Sequence, residues 1–131
     1  MYSNKTFTPH YKAYSLCDIA LDTYPFSGMS IAIETALMGV PTITLVGEGI
    51  QSRGAGRINN VLGFDEFNSV VGEEYINKAI KLANDKELLS DLRKSLRDKV
   101  NNSPLKIKAE DFTKDLEDKF RKAWIDFINS P

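Results

Sequence analysis

Residues 18–45 read DIALDTYPFSGMSIAIETALMGVPTITL, and this stretch decides the fold. Ile19-Ala20-Leu21, bracketed by Asp18 and Asp22, is too short for a helix and apolar enough for a central strand. A turn follows over residues 23–27, with Pro25 between Tyr24 and Phe26. Gly28 permits backbone conformations and a close ligand approach that a side chain would block, and Ser30 suits the N-cap of a helix predicted over 31–38. Within that helix Ile33, Ala36 and Leu37 are predicted to face the sheet, while Glu34 projects toward whatever occupies the helix mouth. Gly39 ends the helix, and Pro41 stiffens the entry into a second apolar strand at 42–45. Strand, helix and strand make a βαβ unit, and in an open parallel sheet the ligand sits beyond the C-terminal strand ends, near the helix N-terminus. Residues 28–34 are therefore the candidate binding segment.

Outward from that unit, Thr8-Pro9 can start a short helix reaching about Leu16, with His10 in its first turn. Downstream lies a glycine-bearing loop at 46–50, then a helix capped by Ser52 that runs to about Leu62 and is closed by Gly63. A weak strand at 68–71 precedes a wholly helical remainder. Its apolar stripes are Tyr75, Ile76, Ala79, Ile80 and Ala83; then Leu88, Leu89, Leu92, Leu96 and Val100; then Phe112, Leu116, Phe120, Trp124 and Phe127, the last read as core packing. The chain divides into an α/β segment at 1–71 and a helical tail at 72–131 that packs on the same domain. Two clear strands and one weak one fall short of the five or six of a complete doubly wound sheet. The sequence thus reads as the C-terminal portion of an α/β domain, with its first strands missing or supplied by a partner.

Composition excludes several classes. With 131 residues, 42% hydrophobic and a formal net charge of -1, the chain suits one globular domain and offers no electrostatic case for nucleic acid or a membrane surface. Cys17 and His10 are the single cysteine and histidine, which argues against a disulfide or a Cys/His metal site. No apolar run approaches the ~18 residues that span a bilayer, and the first ten residues lack a signal peptide's apolar core, so the chain reads as cytoplasmic.

Several motifs together resemble the C-terminal part of the catalytic region of the O-linked N-acetylglucosamine transferase and SPINDLY-like glycosyltransferases. They are His10; Asp18-Ile19-Ala20-Leu21-Asp22-Thr23; Gly28-Met29-Ser30-Ile31; Glu34 through Gly39-Val40-Pro41; Ser52-Arg53; and Ser103-Pro104-Leu105. The resemblance covers roughly residues 10–125. It implies a partial Rossmann-like parallel sheet from the C-terminal lobe of a two-lobed GT-B glycosyltransferase, followed by a helical tail. It also implies a UDP-sugar as donor substrate, no cofactor or metal, and a protein acceptor bound through an N-terminal lobe or repeats. The helix N-terminus at Gly28, Met29, Ser30 and Ile31 would receive the diphosphate, Glu34 the ribose, and His10 would lie near the nucleotide. Where the family often has two adjacent hydroxyl residues, this chain keeps Ser30 and has Ile31. The family's phosphate-contacting lysine falls upstream of residue 1, and no catalytic residue is assigned.

Spacing alone favours plainer roles, because capped helices in βαβ units are common. A carboxylate such as Glu34 offers acceptors that match a vicinal diol, but a solvated glutamate on a helix face looks the same in sequence. Asp18 and Asp22, four apart on a strand, lack an evident partner and read as capping or turn residues. Arg53 reads as a positioner of the loop after the second strand. The leading functional reading is transfer of N-acetylglucosamine from UDP-N-acetylglucosamine to protein Ser or Thr, with this chain inactive alone. The alternatives are glucose transfer to asparagine, a nucleotide-sugar epimerase, and a non-catalytic nucleotide-binding or interaction module, with self-association through an exposed sheet edge.

Overall fold

The structure, a computed structural model, describes residues 10–106 and 109–130. Three parallel strands, β1 (Ala20–Leu21), β2 (Thr42–Leu45) and β3 (Asn68–Ser69), stand in that order in the sheet. Ala20 pairs with Thr42 and Leu21 with Ile43, while Thr44 pairs with Asn68 and Leu45 with Ser69. Parallel neighbours need crossovers, and two helices supply them: α1 (Met29–Leu37) between β1 and β2, and α2 (Gly54–Leu62) between β2 and β3. The fold class is the α/β, partly built Rossmann-like sheet with a helical tail that the sequence implies.

The central strand is buried throughout Thr42, Ile43 and Thr44, so even its hydroxyls must find partners. Thr42 Oγ1 lies 2.8 Å from Thr35 Oγ1 of α1. Asn59 of α2 donates to the Thr42 carbonyl at 3.0 Å and to Asn68 Oδ1 at 2.9 Å, which ties α2 to both strands of its crossover, β2 and β3. The buried face of α1 is centred on Ala32, Thr35 and Ala36, with Ile33 and Leu37 at its margins.

Two helix starts differ from their sequence reading. Gly28, not Ser30, is the N-cap of α1, and no side chain caps it. Its carbonyl already accepts the Ala32 N–H at 2.9 Å while Asp22 takes its N–H, so the helix begins two residues early and Ser30 falls inside the first turn. Ser52 does not cap α2. It closes a 3-10 turn at Ile50–Ser52, where its hydroxyl donates to the Gly49 carbonyl at 2.7 Å. A 3-10 helix also spans His10–Leu16, while Thr8 and Pro9, read as its cap and first residue, lie outside the described residues.

Three helices complete the chain: α3 (Gly72–Asn84), α4 (Lys86–Asn101) and α5 (Ala109–Ile128). In α4 the predicted stripe holds over Leu92, Leu96 and Val100, which are buried, with Leu89 partly buried, while Leu88 is exposed. Asp85 caps it by accepting the Leu88 N–H at 2.9 Å. Arg97 donates to the Leu37 carbonyl at 2.8 Å, placing a cation on the carbonyls at the C-terminal end of α1. In α3 the buried edge runs through Tyr75, Ala79 and Leu82, and Ile76 and Ile80 are exposed. The α5 stripe corrects the sequence reading more strongly: Phe112, Phe120, Trp124 and Phe127 are all more than half exposed. Helical periodicity reports an amphipathic face, not what covers it.

Gly39 and Gly63 share a left-handed backbone, with φ of 76° and 77°. A Cβ on Gly39 would lie 2.6 Å from the Arg93 carbonyl oxygen of α4, whereas one on Gly63 meets nothing within 4 Å. Gly63→Ala should therefore cost about 1 kcal/mol from backbone conformation alone, and Gly39→Ala about 3 kcal/mol once the clash is added. Denaturant melts of both variants check this, and equal losses would contradict the close packing of α4 on the end of α1.

Candidate functional site

The C-terminal ends of the three strands open onto one crevice of about 860 Å³. Tyr24 and Pro25 line it after β1, the loop from Leu45 to Arg53 after β2, and Val70 after β3. The loop wall is held from within: Arg53 Nε donates to the Gly47 carbonyl at 3.0 Å, the positioning role read for it from sequence. Beyond the carboxyl ends of parallel strands is where an open α/β sheet places its ligand.

The first turn of α1 adjoins this crevice without lining it. A Cβ on Gly54 would lie 2.9 Å from Met29 Cβ, so the absent side chain lets the N-termini of α1 and α2 meet closely. Met29 and Ile31 are about half exposed, at 52% and 51%, and Ser30 is exposed as well. The N–H groups of these first-turn residues have no partner inside the helix and carry the positive end of its dipole.

What orients that turn is Asp22, at the end of β1. Its Oδ1 accepts the Gly28 N–H at 2.9 Å. Its Oδ2 accepts the hydroxyls of Ser27 and of Thr44 on β2, each at 2.7 Å. The Ser27 oxygen in turn accepts the Ala55 N–H of α2 at 2.8 Å. The main chain of Asp22 is engaged too, its N–H donating to the Ile43 carbonyl at 2.9 Å and its carbonyl accepting the Tyr75 hydroxyl at 3.0 Å. Burial first, and the Asp22 charge second, raise the Tyr75 pKa above the usual tyrosine value.

Of the residues proposed from sequence, Gly28, Met29, Ser30 and Ile31 form one contiguous cap and first turn, with Glu34 on the following turn. Glu34 is half-buried, and its Oε2 accepts the Tyr14 hydroxyl at 3.4 Å. Burial, then this carboxylate, raise the Tyr14 pKa. His10 opens the 3-10 helix, and its side chain lies outside the described residues. Asp22, read as a capping or turn residue, does accept from the N-cap Gly28, but the lack of an evident partner is corrected: it joins β1, β2, α1 and, through Ser27, α2. A signal was present in the acidic residue that ends an apolar strand just before a turn rich in hydroxyls and amides, but its partners are set by the tertiary fold. Asp18 is different, an exposed carboxylate 3.6 Å from Arg93. Among the described residues no group of three or more His, Cys, Asp or Glu side chains is placed to hold a metal ion. No helix among them is long and apolar enough to cross a membrane.

The sequence model of glycosyl transferase family 41 matches residues 4–116. A Hordeum vulgare protein described as a probable UDP-N-acetylglucosamine–peptide N-acetylglucosaminyltransferase SPINDLY is 37% identical over 116 residues, covering 88% of this chain and 12% of its own. A Petunia hybrida protein of the same description is 39% identical over the same shares of the two chains. Among solved structures, a point mutant of Thermobaculum terrenum O-GlcNAc transferase superposes with a TM-score of 0.76 at 34% identity, covering 95% of this chain and 24% of that one. The chain therefore spans 12% of the length of the curated relatives and about a quarter of the solved one.

Removing the Asp22 carboxylate strands the hydroxyl donors of buried Ser27 and Thr44. Asp22→Ala should lower unfolding free energy by about 3 kcal/mol, whereas Asp18→Ala, which breaks only an exposed pair, should change it by less than about 0.5 kcal/mol. Urea titration of the two variants decides it, and equal effects would contradict the hub role of Asp22.

Proposed function

We propose that this chain, which belongs to glycosyltransferase family 41, forms the donor-binding part of a protein glycosyltransferase that uses UDP-N-acetylglucosamine and transfers its sugar to Ser or Thr hydroxyls. The observation that carries the reading is the first turn of α1. Its amides stand at the C-terminal edge of a parallel sheet, with Glu34 one turn further on. A diphosphate at Met29, Ser30 and Ile31 would be held by backbone N–H groups and the helix dipole, an arrangement that needs no metal ion. Because Ile31 brings no hydroxyl, the amides and the Ser30 hydroxyl carry that contact. Glu34 would then accept both ribose hydroxyls as an ionised carboxylate. His10, in the preceding helix, is assigned to the nucleotide side.

The acceptor site and the catalytic groups are assigned to a second lobe. The exposed stripe of Phe112, Phe120, Trp124 and Phe127 on α5 offers an apolar face that such a lobe can cover. The sheet edges favour self-pairing less, because β1 and β3 are two residues long and offer little backbone to a second copy. A reducing, cytoplasmic setting suits a chain whose one cysteine, Cys17, is an exposed free thiol.

Calorimetry tests the donor site. The chain should bind UDP, and Glu34→Ala should weaken binding at least about tenfold through loss of charge-assisted hydrogen bonds. The isolated chain should transfer no sugar. A folded chain that ignores UDP overturns the donor-site reading, and robust turnover by the chain alone overturns the division between lobes.

A further inference from the structure

Ser27 is buried, at 8% exposure, in the turn between β1 and α1. Its hydroxyl and its main-chain N–H are both in use. The hydroxyl donates to Asp22 Oδ2 at 2.7 Å and accepts the Ala55 N–H at 2.8 Å, and the main-chain N–H donates to the Gln51 carbonyl at 2.8 Å. One residue therefore joins the end of β1, the first turn of α2 and the loop that walls the strand-end crevice. Its neighbour Gly28 is the N-cap of α1 and is held by the other oxygen of the same Asp22 carboxylate.

We propose that Ser27 is a positioning residue for the diphosphate end of the donor site: it locks the N-termini of α1 and α2 into one geometry and reserves the amides of α1 for the anion. The inference rests on the donor-site reading above. Two helix N-termini lie side by side here, since Gly54 packs on Met29, and the first-turn amides of a helix, which lack partners within it, attract an anion. At α2 the Ser27 oxygen already fills the Ala55 N–H. At α1 the Met29, Ser30 and Ile31 amides remain on an exposed turn. The neutral hydroxyl thus takes the Ala55 amide of α2 out of competition for the phosphates, while the Ser27 main-chain N–H ties the turn to the crevice wall at Gln51. Ser27 touches no part of the donor itself. Its loss acts on the diphosphate contacts through Asp22, Gly28 and Ala55, and leaves the nucleoside contacts of Glu34 intact.

The test compares UDP with uridine by calorimetry on wild type, Ser27→Ala and Ser27→Thr, with thermal melts in parallel. Ser27→Ala should bind UDP about tenfold more weakly, the size of one lost hydrogen bond, while uridine affinity stays within about twofold. Ser27→Thr, which keeps the hydroxyl, should recover UDP binding. A purely structural role would lower both affinities together. If Ser27→Ala fails to fold, Asp22→Asn carries the same test. That variant removes a negative charge near the helix start, which by itself favours the diphosphate, so a selective loss of UDP supports the proposal, and unchanged or tighter UDP binding overturns it. A folded Ser27→Ala that keeps the wild-type ratio of UDP to uridine affinity overturns the proposal and leaves the donor site standing. Wild type that binds neither ligand overturns the donor-site reading, and the positioning role falls with it.

Discussion

A single carboxylate, that of Asp22, sets the geometry on which the rest of the sheet edge depends. Ionised carboxylates only accept hydrogen bonds, and the donors that converge on this one come from the turn, the N-cap of α1 and the central strand. Through Ser27 the same group reaches α2, and through the Asp22 carbonyl it reaches Tyr75 of α3. Strand pairing between β1 and β2 involves two residue pairs, too little backbone to fix the tilt of a helix. The side-chain network supplies what the short ladder lacks. Because half-buried polar groups are costly to leave unpaired, each donor holds the others in register, and the first turn of α1 inherits that order.

That constraint also explains which parts of the structure were legible in sequence. The strand at Thr42–Leu45, the helix stops at Gly39 and Gly63, and the buried stripe of α4 follow from local pattern, and they stand where the pattern puts them. The start of α1 does not, because the choice of Gly28 over Ser30 as cap is made by Asp22, six residues away. Thr44 is 22 residues from Asp22 and Tyr75 is 53, so no window of local sequence contains the hub. Similarly, the apolar period of α5 was correct as a period, yet its residues face outward. Amphipathicity is a local property, whereas burial belongs to the partner.

For the candidate site the division is similar. The binding segment at 28–34 was visible as a helix opening between two strands, and the family match to residues 4–116 gives it a chemical context. The crevice beside it was not visible, since its walls come from three separate loops gathered at the strand ends. The two features meet where Gly54 packs on Met29. Placing an anion at the helix start and the remainder of a ligand along the strand ends makes one surface of a cleft. The aromatic face of α5 is a further apolar surface left exposed. Under the proposed function this cleft is the donor side of the enzyme.

The most direct measurement is a UDP titration of the isotopically labelled chain followed by amide resonances. The account predicts that the largest changes fall on Met29, Ser30 and Ile31, with smaller ones along the crevice loop from Gly47 to Arg53. Changes confined to α3 and α4, or no saturable change in a folded chain, would contradict it.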